Sequence, residues 1–201
     1  MTEHYFSQQP QSKSSPKQWD MTLKGKKYTF TSDAGVFSKN EVDPGSQLLI
    51  EQFKEPDESG DFLDLGCGYG PIGISLAGFY EERHVVMADV NERALALAEQ
   101  NAFDNKIDNV AFVKSDRLSN LQERKFAAII SNPPIRAGKK VVHQMFEESK
   151  QALIGAGELW IVIQKKQGAP SAKKKLEDLF TEVEVNAKRK GYYILRAKNE
   201  Q

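Results

Sequence analysis

Cysteine is all but missing from this chain: Cys67 stands alone among 201 residues. That excludes an internal disulfide framework and fits a reducing, cytoplasmic setting. Long apolar runs are missing too, so no stretch reads as a membrane-spanning helix. The N-terminal MTEHYFSQQPQSKSSPKQ lacks the apolar core of a secretory leader, and none is expected. Histidine is scarce. His84 begins a strand and His143 lies in a helix, neither with a paired His or Cys, so no metal site is expected. Net charge is absent as well, 28 Lys and Arg offsetting 28 Asp and Glu, which argues against a long, uniformly basic tail.

The balance hides an uneven distribution. From Lys165 to Lys198 there are ten cations and four acids, and Arg136, Lys139 and Lys140 add three more cations with no acid between them. Acids gather instead between Glu41 and Asp64. Any one such run can be a solvated face. Taken together, they make one edge of a neutral protein attractive to phosphates.

At this length the chain suits one domain with a sizeable core, and it shows neither an internal repeat nor a long linker. Residues 1–25 are polar and read as a loose segment before a domain over 26–201. KKYTFTSD alternates like a strand. In VDPGSQLLIEQF, Asp43 and Pro44 read as N-cap and first helical residue. DFLDL is a short buried strand, and GCGYGPIG opens a helix over about residues 72–79. HVVMADV, NVAFVKSD, FAAIISN and GELWIVIQ are further strands, with helices NERALALAEQNAF, capped by Asn91, and VVHQMFEESKQAL between them. Such alternation predicts an α/β, Rossmann-like, doubly wound sheet of seven strands, mostly parallel. After the helix KKKLEDLF, the strands EVEVNAK and GYYILRAK are joined only by RKG, too short for a parallel crossover. The sheet should therefore end in an antiparallel hairpin.

The strongest motif is DLGCGYGPIG, Asp64 to Gly73. Gly66, Gly68 and Gly70 let the backbone turn sharply and approach a ligand beside a helix N-terminus. Tight strand-to-helix packing alone would select the same turn. Asp89 ends the second strand of the unit, 19 residues beyond Gly70, where such folds place a carboxylate on ribose hydroxyls, and Asp116 ends the third. Both acids can also be turn formers. A nicotinamide cofactor competes for this logic, but Asp64 just before the loop, the terminal hairpin and the lack of a second domain count against it. SNPPI, Ser131 to Ile135, ends the fourth strand. Two prolines cannot extend a strand, and Asn132 before them is held extended. The bland reading of that tetrapeptide is a tight turn.

With its acid-preceded glycine loop and terminal hairpin, the chain resembles the class I S-adenosylmethionine-dependent methyltransferases. The resemblance implies S-adenosylmethionine as cofactor, held by Phe37, Asp64, Gly66, Cys67, Gly68, Gly70, Asp89, Val90, Asp116, Arg117 and Asn132. Asp64 and the glycines would face the methionine and ribose end, Asp89 the ribose hydroxyls and Asp116 the adenine. Cys67 reads otherwise as a small loop residue, and Phe37 as core, a wall for the cofactor or a stacking surface. Asn-Pro-Pro at that strand end resembles enzymes that methylate planar amino or amide nitrogens, and it marks Asn132, Pro133 and Pro134 as catalytic. The Asn132 side-chain oxygen and the Pro133 carbonyl would accept the two N–H groups of a nucleophile whose lone pair is otherwise delocalised.

The longer match, TFTSDAGVFSKNEVDPGSQLL, DLGCGYGPIGI and SNPPIRAGK, is similar to the ribosomal RNA guanine-N2 methyltransferase family acting on the small subunit. It resembles the catalytic half of the larger members and their stand-alone relatives. Ile135 replaces the phenylalanine common in the larger members. Ile135, Arg136, Lys139 and Lys140 would then meet the substrate, ribosomal RNA or the small-subunit particle, with a monomeric enzyme favoured and no membrane partner. A protein-amide (glutamine N5) or other small-amine methyltransferase, and a non-catalytic RNA-binding or ribosome-assembly factor, are the competing readings.

Overall fold

The computed structural model describes residues 7–199. Among them, chain order runs β1 (Lys17–Leu23), β2 (Lys26–Ser32), α1 (Pro44–Gln52), β3 (Phe62–Leu65), α2 (Pro71–Phe79), β4 (Val85–Asp89), α3 (Glu92–Asp104), β5 (Val110–Lys114), β6 (Phe126–Ser131), α4 (Lys139–Ala152), β7 (Leu153–Gln164), α5 (Ala169–Leu179), β8 (Glu182–Arg189) and β9 (Tyr192–Lys198). Short 3-10 turns, Ile135–Ala137 and Lys165–Gln167, follow β6 and β7.

Strands β3 to β9 form one sheet in the order β5-β4-β3-β6-β7-β9-β8. The first five are parallel, with α2, α3 and α4 as crossovers and a long loop from β5 to β6. β9 runs antiparallel to both β7 and β8. The terminal hairpin turns at Lys190 and Gly191, both at positive φ as a two-residue type I′ turn requires. Apolar side chains alternate between two cores. One lies under α1, α2 and α3, the other under α4 and α5. Chain order reverses between β3 and β6, and a doubly wound sheet opens its ligand crevice at the carboxyl ends of two such strands. Ser131 Oγ donates to Leu65 O at 2.7 Å, tying those two ends together.

The N-terminal segment departs from expectation. Residues 17–23 are not loose but form β1, in register with β2 from Lys17 opposite Ser32 to Leu23 opposite Lys26. Trp19, Met21 and Leu23 alternate inward along it, an apolar period of two that the polar flanks obscure. Residues 7–16 are tied down as well: Ser14 Oγ and the Ser15 N–H donate to Asp33. Residues 1–6 of that segment lie outside the described residues. β7 also begins earlier than GELWIVIQ, at Leu153, with an irregular register against β6 between Phe126 and Ala128.

Two asparagines, Asn101 on α3 and Asn105 at its C-cap, finish the open edge of β2. Asn101 Oδ1 accepts the Thr31 N–H at 2.8 Å while its Nδ2 donates to Thr31 O at 2.9 Å. Asn105, one turn on, does the same for Thr29 at 3.0 and 2.8 Å. Each amide stands in for a missing strand neighbour, so the edge is closed without a third strand.

Candidate active site

The glycine loop follows β3, and its backbone explains its composition. Gly66, Gly68 and Gly70 have φ of +75°, +57° and +101°, the left-handed region that side chains disfavour. At Gly70 a Cβ would also come within 2.7 Å of Ile74 Cδ1. Gly70 starts α2 without a side-chain cap, and Pro71 follows as the first helical residue. The N–H groups of Gly66 and Cys67 donate to Ala88 O at 2.8 and 2.9 Å, and that of Gly68 to Asp89 Oδ2 at 2.8 Å. The loop is thereby fastened across the tip of β4.

Asp89 receives the Asn91 N–H on its other oxygen at 2.9 Å. Burial nevertheless pushes its carboxyl above the ordinary value, against the N–H groups of Asn91, Gly68 and Val90. Asp116 stands exposed beyond β5, 3.1 Å from Arg117. Arg117 turns back at φ +51° to donate to Glu148 on α4 at 3.0 Å. Asp64 lies beneath the loop and is 1% exposed. Its Oδ2 accepts the Gly73 N–H at 2.8 Å, whereas Oδ1 is buried with no partner. Burial, with Asp89 adding repulsion, pushes this carboxyl up to about 7.

Asn132 is oriented by a bracket from α1. Its Nδ2 donates to Asp43 Oδ2 and to Ser46 Oγ, both at 3.0 Å. Asp43 can only accept, so the amide nitrogen must face it and Oδ1 must face the other way. The same Asp43 oxygen caps α1, taking the Ser46 N–H at 2.9 Å. Beyond Asn132, the Pro133 carbonyl accepts the Ile135 N–H at 2.9 Å, closing an inverse γ-turn around Pro134 at φ −76°, ψ 78°. A carbonyl has two lone pairs, and one remains.

These elements enclose a cavity of about 520 Å³, within the range of small-molecule sites. Of the residues singled out by sequence, Phe37, Gly66, Cys67, Gly68, Asp89, Val90, Asp116, Arg117, Asn132, Pro133, Pro134 and Arg136 line it. Asp64 and Gly70 do not, since they sit behind the loop they shape. Nor do Ile135, Lys139 and Lys140. Ile135 packs toward the α4–α5 core, and the two lysines are exposed at the start of α4. Phe37 is not core but 40% exposed on the cavity wall. Sequence reasoning missed Gln8 and Ser46 as lining residues, and took Asp43 only as a helix cap.

A glycine cradle at a switch point, acids at successive strand ends and a fixed Asn-Pro-Pro turn agree with one family model. The methyltransferase small domain matches residues 27–196. The chain belongs to that family. It is 58% identical over 199 residues to the uncharacterized protein YbxB of Bacillus subtilis (strain 168), covering 98% of this chain and 99% of that one. It is 40% identical over 132 residues to ribosomal RNA small subunit methyltransferase C of Actinobacillus pleuropneumoniae serotype 7 (strain AP76), covering 63% of this chain but only 40% of that protein. The solved 16S rRNA N2 methyltransferase of T. thermophilus, in complex with AdoMet and guanosine, superposes with a TM-score of 0.82 at 25% identity. That match covers 95% of this chain and 52% of the other. The chain thus spans about half or less of the two ribosomal RNA methyltransferases it matches. The fold is that of the class I methyltransferases, as the motifs implied. Among the described residues no helix is long and apolar enough to cross a membrane, and no cluster of three His, Cys, Asp or Glu could hold a metal.

Proposed function

We propose that the protein methylates the exocyclic N2 amino group of a guanine in small-subunit ribosomal RNA, with S-adenosylmethionine as cofactor. The observation that carries this reading is the bracketed Asn132 amide. Its nitrogen is held by Asp43 and Ser46, which leaves Oδ1 as a fixed acceptor beside the free lone pair of Pro133 O. Two acceptors on a rigid turn match the two N–H groups of an aromatic amine, and holding them rotates the amine lone pair out of conjugation.

The residues present fit the cofactor. The cavity has the volume, the left-handed glycines let the backbone pass along its wall without side chains, and Asp89 presents a carboxyl there for ribose hydroxyls. When bound, S-adenosylmethionine supplies a sulfonium-activated methyl group. Phe37 offers the cavity its exposed aromatic face, a stacking surface that Ile135, turned away, does not provide. Arg136, Lys139 and Lys140 make no ion pair among the described residues, so they are free for phosphates. That exposed charge favours RNA over a protein amide.

The test is mass spectrometry of ribosomal RNA nucleosides from a deletion strain, complemented with wild type or with Asn132→Ala. One N2-methylguanosine should vanish from small-subunit RNA on deletion and return only with wild type. An unchanged nucleoside profile overturns the substrate. Full restoration by Asn132→Ala reduces the asparagine to a turn residue.

A further inference from the structure

A second, smaller cavity of about 150 Å³ lies across α4 from the first. Val141 and Met145 face the main cavity, whereas Lys139, Val142 and His143 face the second, as opposite sides of one helix must. The wall between them is the turn that carries the catalytic tetrapeptide. Pro134 and Arg136 line one side of it and Ile135 the other.

The floor is apolar, built from Ile135, Val142 and Ile163. The His143 ring forms one side, itself stacked on Phe146 at 6.1 Å between centroids. A cavity of this volume holds one six-membered ring. The rim is polar and cationic: Lys139 and Ser171 border it, and Lys165 and Lys166 stand exposed on the adjoining 3-10 turn. No acid lines the cavity. α5 begins at its edge with no side-chain cap and no acid in its first turn, leaving backbone N–H groups and the positive helix end facing outward. Burial, then Lys139 and Lys175, hold the His143 imidazole below its ordinary value against the pull of Glu147, favouring the neutral ring. A neutral ring is a stacking surface for a base.

We propose that this second cavity seats a pyrimidine-sized base of a nucleotide adjacent to the target guanine, with Lys139, Lys165 and Lys166 on its phosphates. The proposal rests on the RNA reading above and extends it to sequence context. A base there would be splayed rather than stacked, about one helix diameter (~10 Å) from the target, which would hold the strand open while the guanine occupies the main cavity. Apolar floor, stacking ring, cationic rim and direct continuity with the Asn-Pro-Pro turn all favour this occupant.

The experiment uses a short transcript carrying the guanine that the deletion strain leaves unmethylated. Each neighbouring nucleotide is made abasic in turn, and kcat/KM is measured for wild type, Ser171→Trp and Ser171→Ala. Seating one base is expected to contribute a factor of about ten or more. Wild type should lose that factor when the neighbour on one side is abasic, and should lose part of it when a purine replaces a pyrimidine there. Ser171→Trp, which fills the cavity, should show the same loss on intact RNA and no further loss on abasic RNA. Ser171→Ala, which trims the rim but leaves the cavity open, should lose less than Ser171→Trp. Unchanged S-adenosylmethionine affinity in all three shows that the fold is intact. If wild type is indifferent to both abasic substitutions, or if wild type and Ser171→Trp lose the same factor, the cavity does not seat a base. If all three bind S-adenosylmethionine and none methylates the transcript, the RNA reading itself falls, and the cavity assignment with it.

Discussion

Replacing Asp64 by asparagine should flatten the pH dependence of stability in the cofactor-free protein. The carboxyl is 1% exposed, has one N–H partner on Oδ2 and none on Oδ1, and is pushed from 3.8 up to about 7. An acid whose native pKa exceeds its unfolded value binds its proton more tightly in the native state. Native stability therefore falls as pH rises between the two values. The contribution is fully present below about pH 4 and gone above about pH 7. Between about pH 5 and pH 8 it amounts to roughly 3 kcal/mol, from the linkage slope up to the native pKa. Urea unfolding of wild type and Asp64→Asn across that range measures it. The carboxamide cannot ionise, so the mutant should lack this slope whatever its absolute stability. Groups remote from Asp64, His143 among them, act in both proteins and cancel in the difference, whereas Asp89, which repels Asp64, does not. Parallel stability curves for the two proteins would refute the claim that Asp64 is held protonated by burial.

Asp89→Ala should weaken S-adenosylmethionine binding by roughly 1.5–3 kcal/mol, since it removes an acceptor for ribose hydroxyls and the anchor of the Gly68 N–H. Calorimetry on the folded mutant showing unchanged affinity would end the ribose assignment. Asp43→Ala removes a helix cap and the partner of Asn132 together. It should cost about 1 kcal/mol of stability and about 2–4 °C in Tm, while kcat falls about tenfold or more because the amide is free to turn; a kcat within twofold of wild type contradicts the bracket. Lys139→Glu with Lys140→Glu should weaken RNA binding and flatten its salt dependence by about 0.7–0.9 per lost phosphate contact, while S-adenosylmethionine affinity stays constant. Identical salt slopes for mutant and wild type would make these lysines an ordinary solvated face.

What was legible in the sequence was local. Asp43 and Asn91 cap α1 and α3 as their types require, accepting from Ser46 and Ala94. The glycine loop, the acids at the tips of β4 and β5, and the antiparallel ending follow from spacing and link length, because those properties are set within a few residues. What stayed hidden depends on partners far apart in the chain. Asp43 and Asn132 are 89 residues apart, and nothing in either stretch says that α1 docks its first turn against the tip of β6. Asn101 reads as an ordinary polar position of an amphipathic helix and Asn105 lies just beyond it, yet both complete a strand edge some 70 residues earlier. Ile135 points away from the main cavity because the γ-turn at Pro134 rotates the chain by one side. Proline content predicts that rigidity, but not its direction.

Arg93 shows how such long-range contacts build the site. A cation in the first turn of a helix opposes the macrodipole and costs about 0.3–1 kcal/mol when exposed. Here its guanidinium donates to Ala34 O at 2.7 Å, Ser12 O at 3.0 Å and Pro10 O at 3.5 Å, while the neighbouring Glu92 N–H donates to Gln8 O. Charged hydrogen bonds of this kind outweigh the dipole term. The two segments they join carry Gln8 on one side and Val36, Phe37 and Ser38 on the other, all on the wall of the main cavity. Residues 8–15, whose polar composition offers no core of its own, are thus fastened by Arg93 and Glu92 on α3 and by Asp33. This segment brings Gln8 to the wall of the main cavity, and for that reason its role could be read only from the folded molecule.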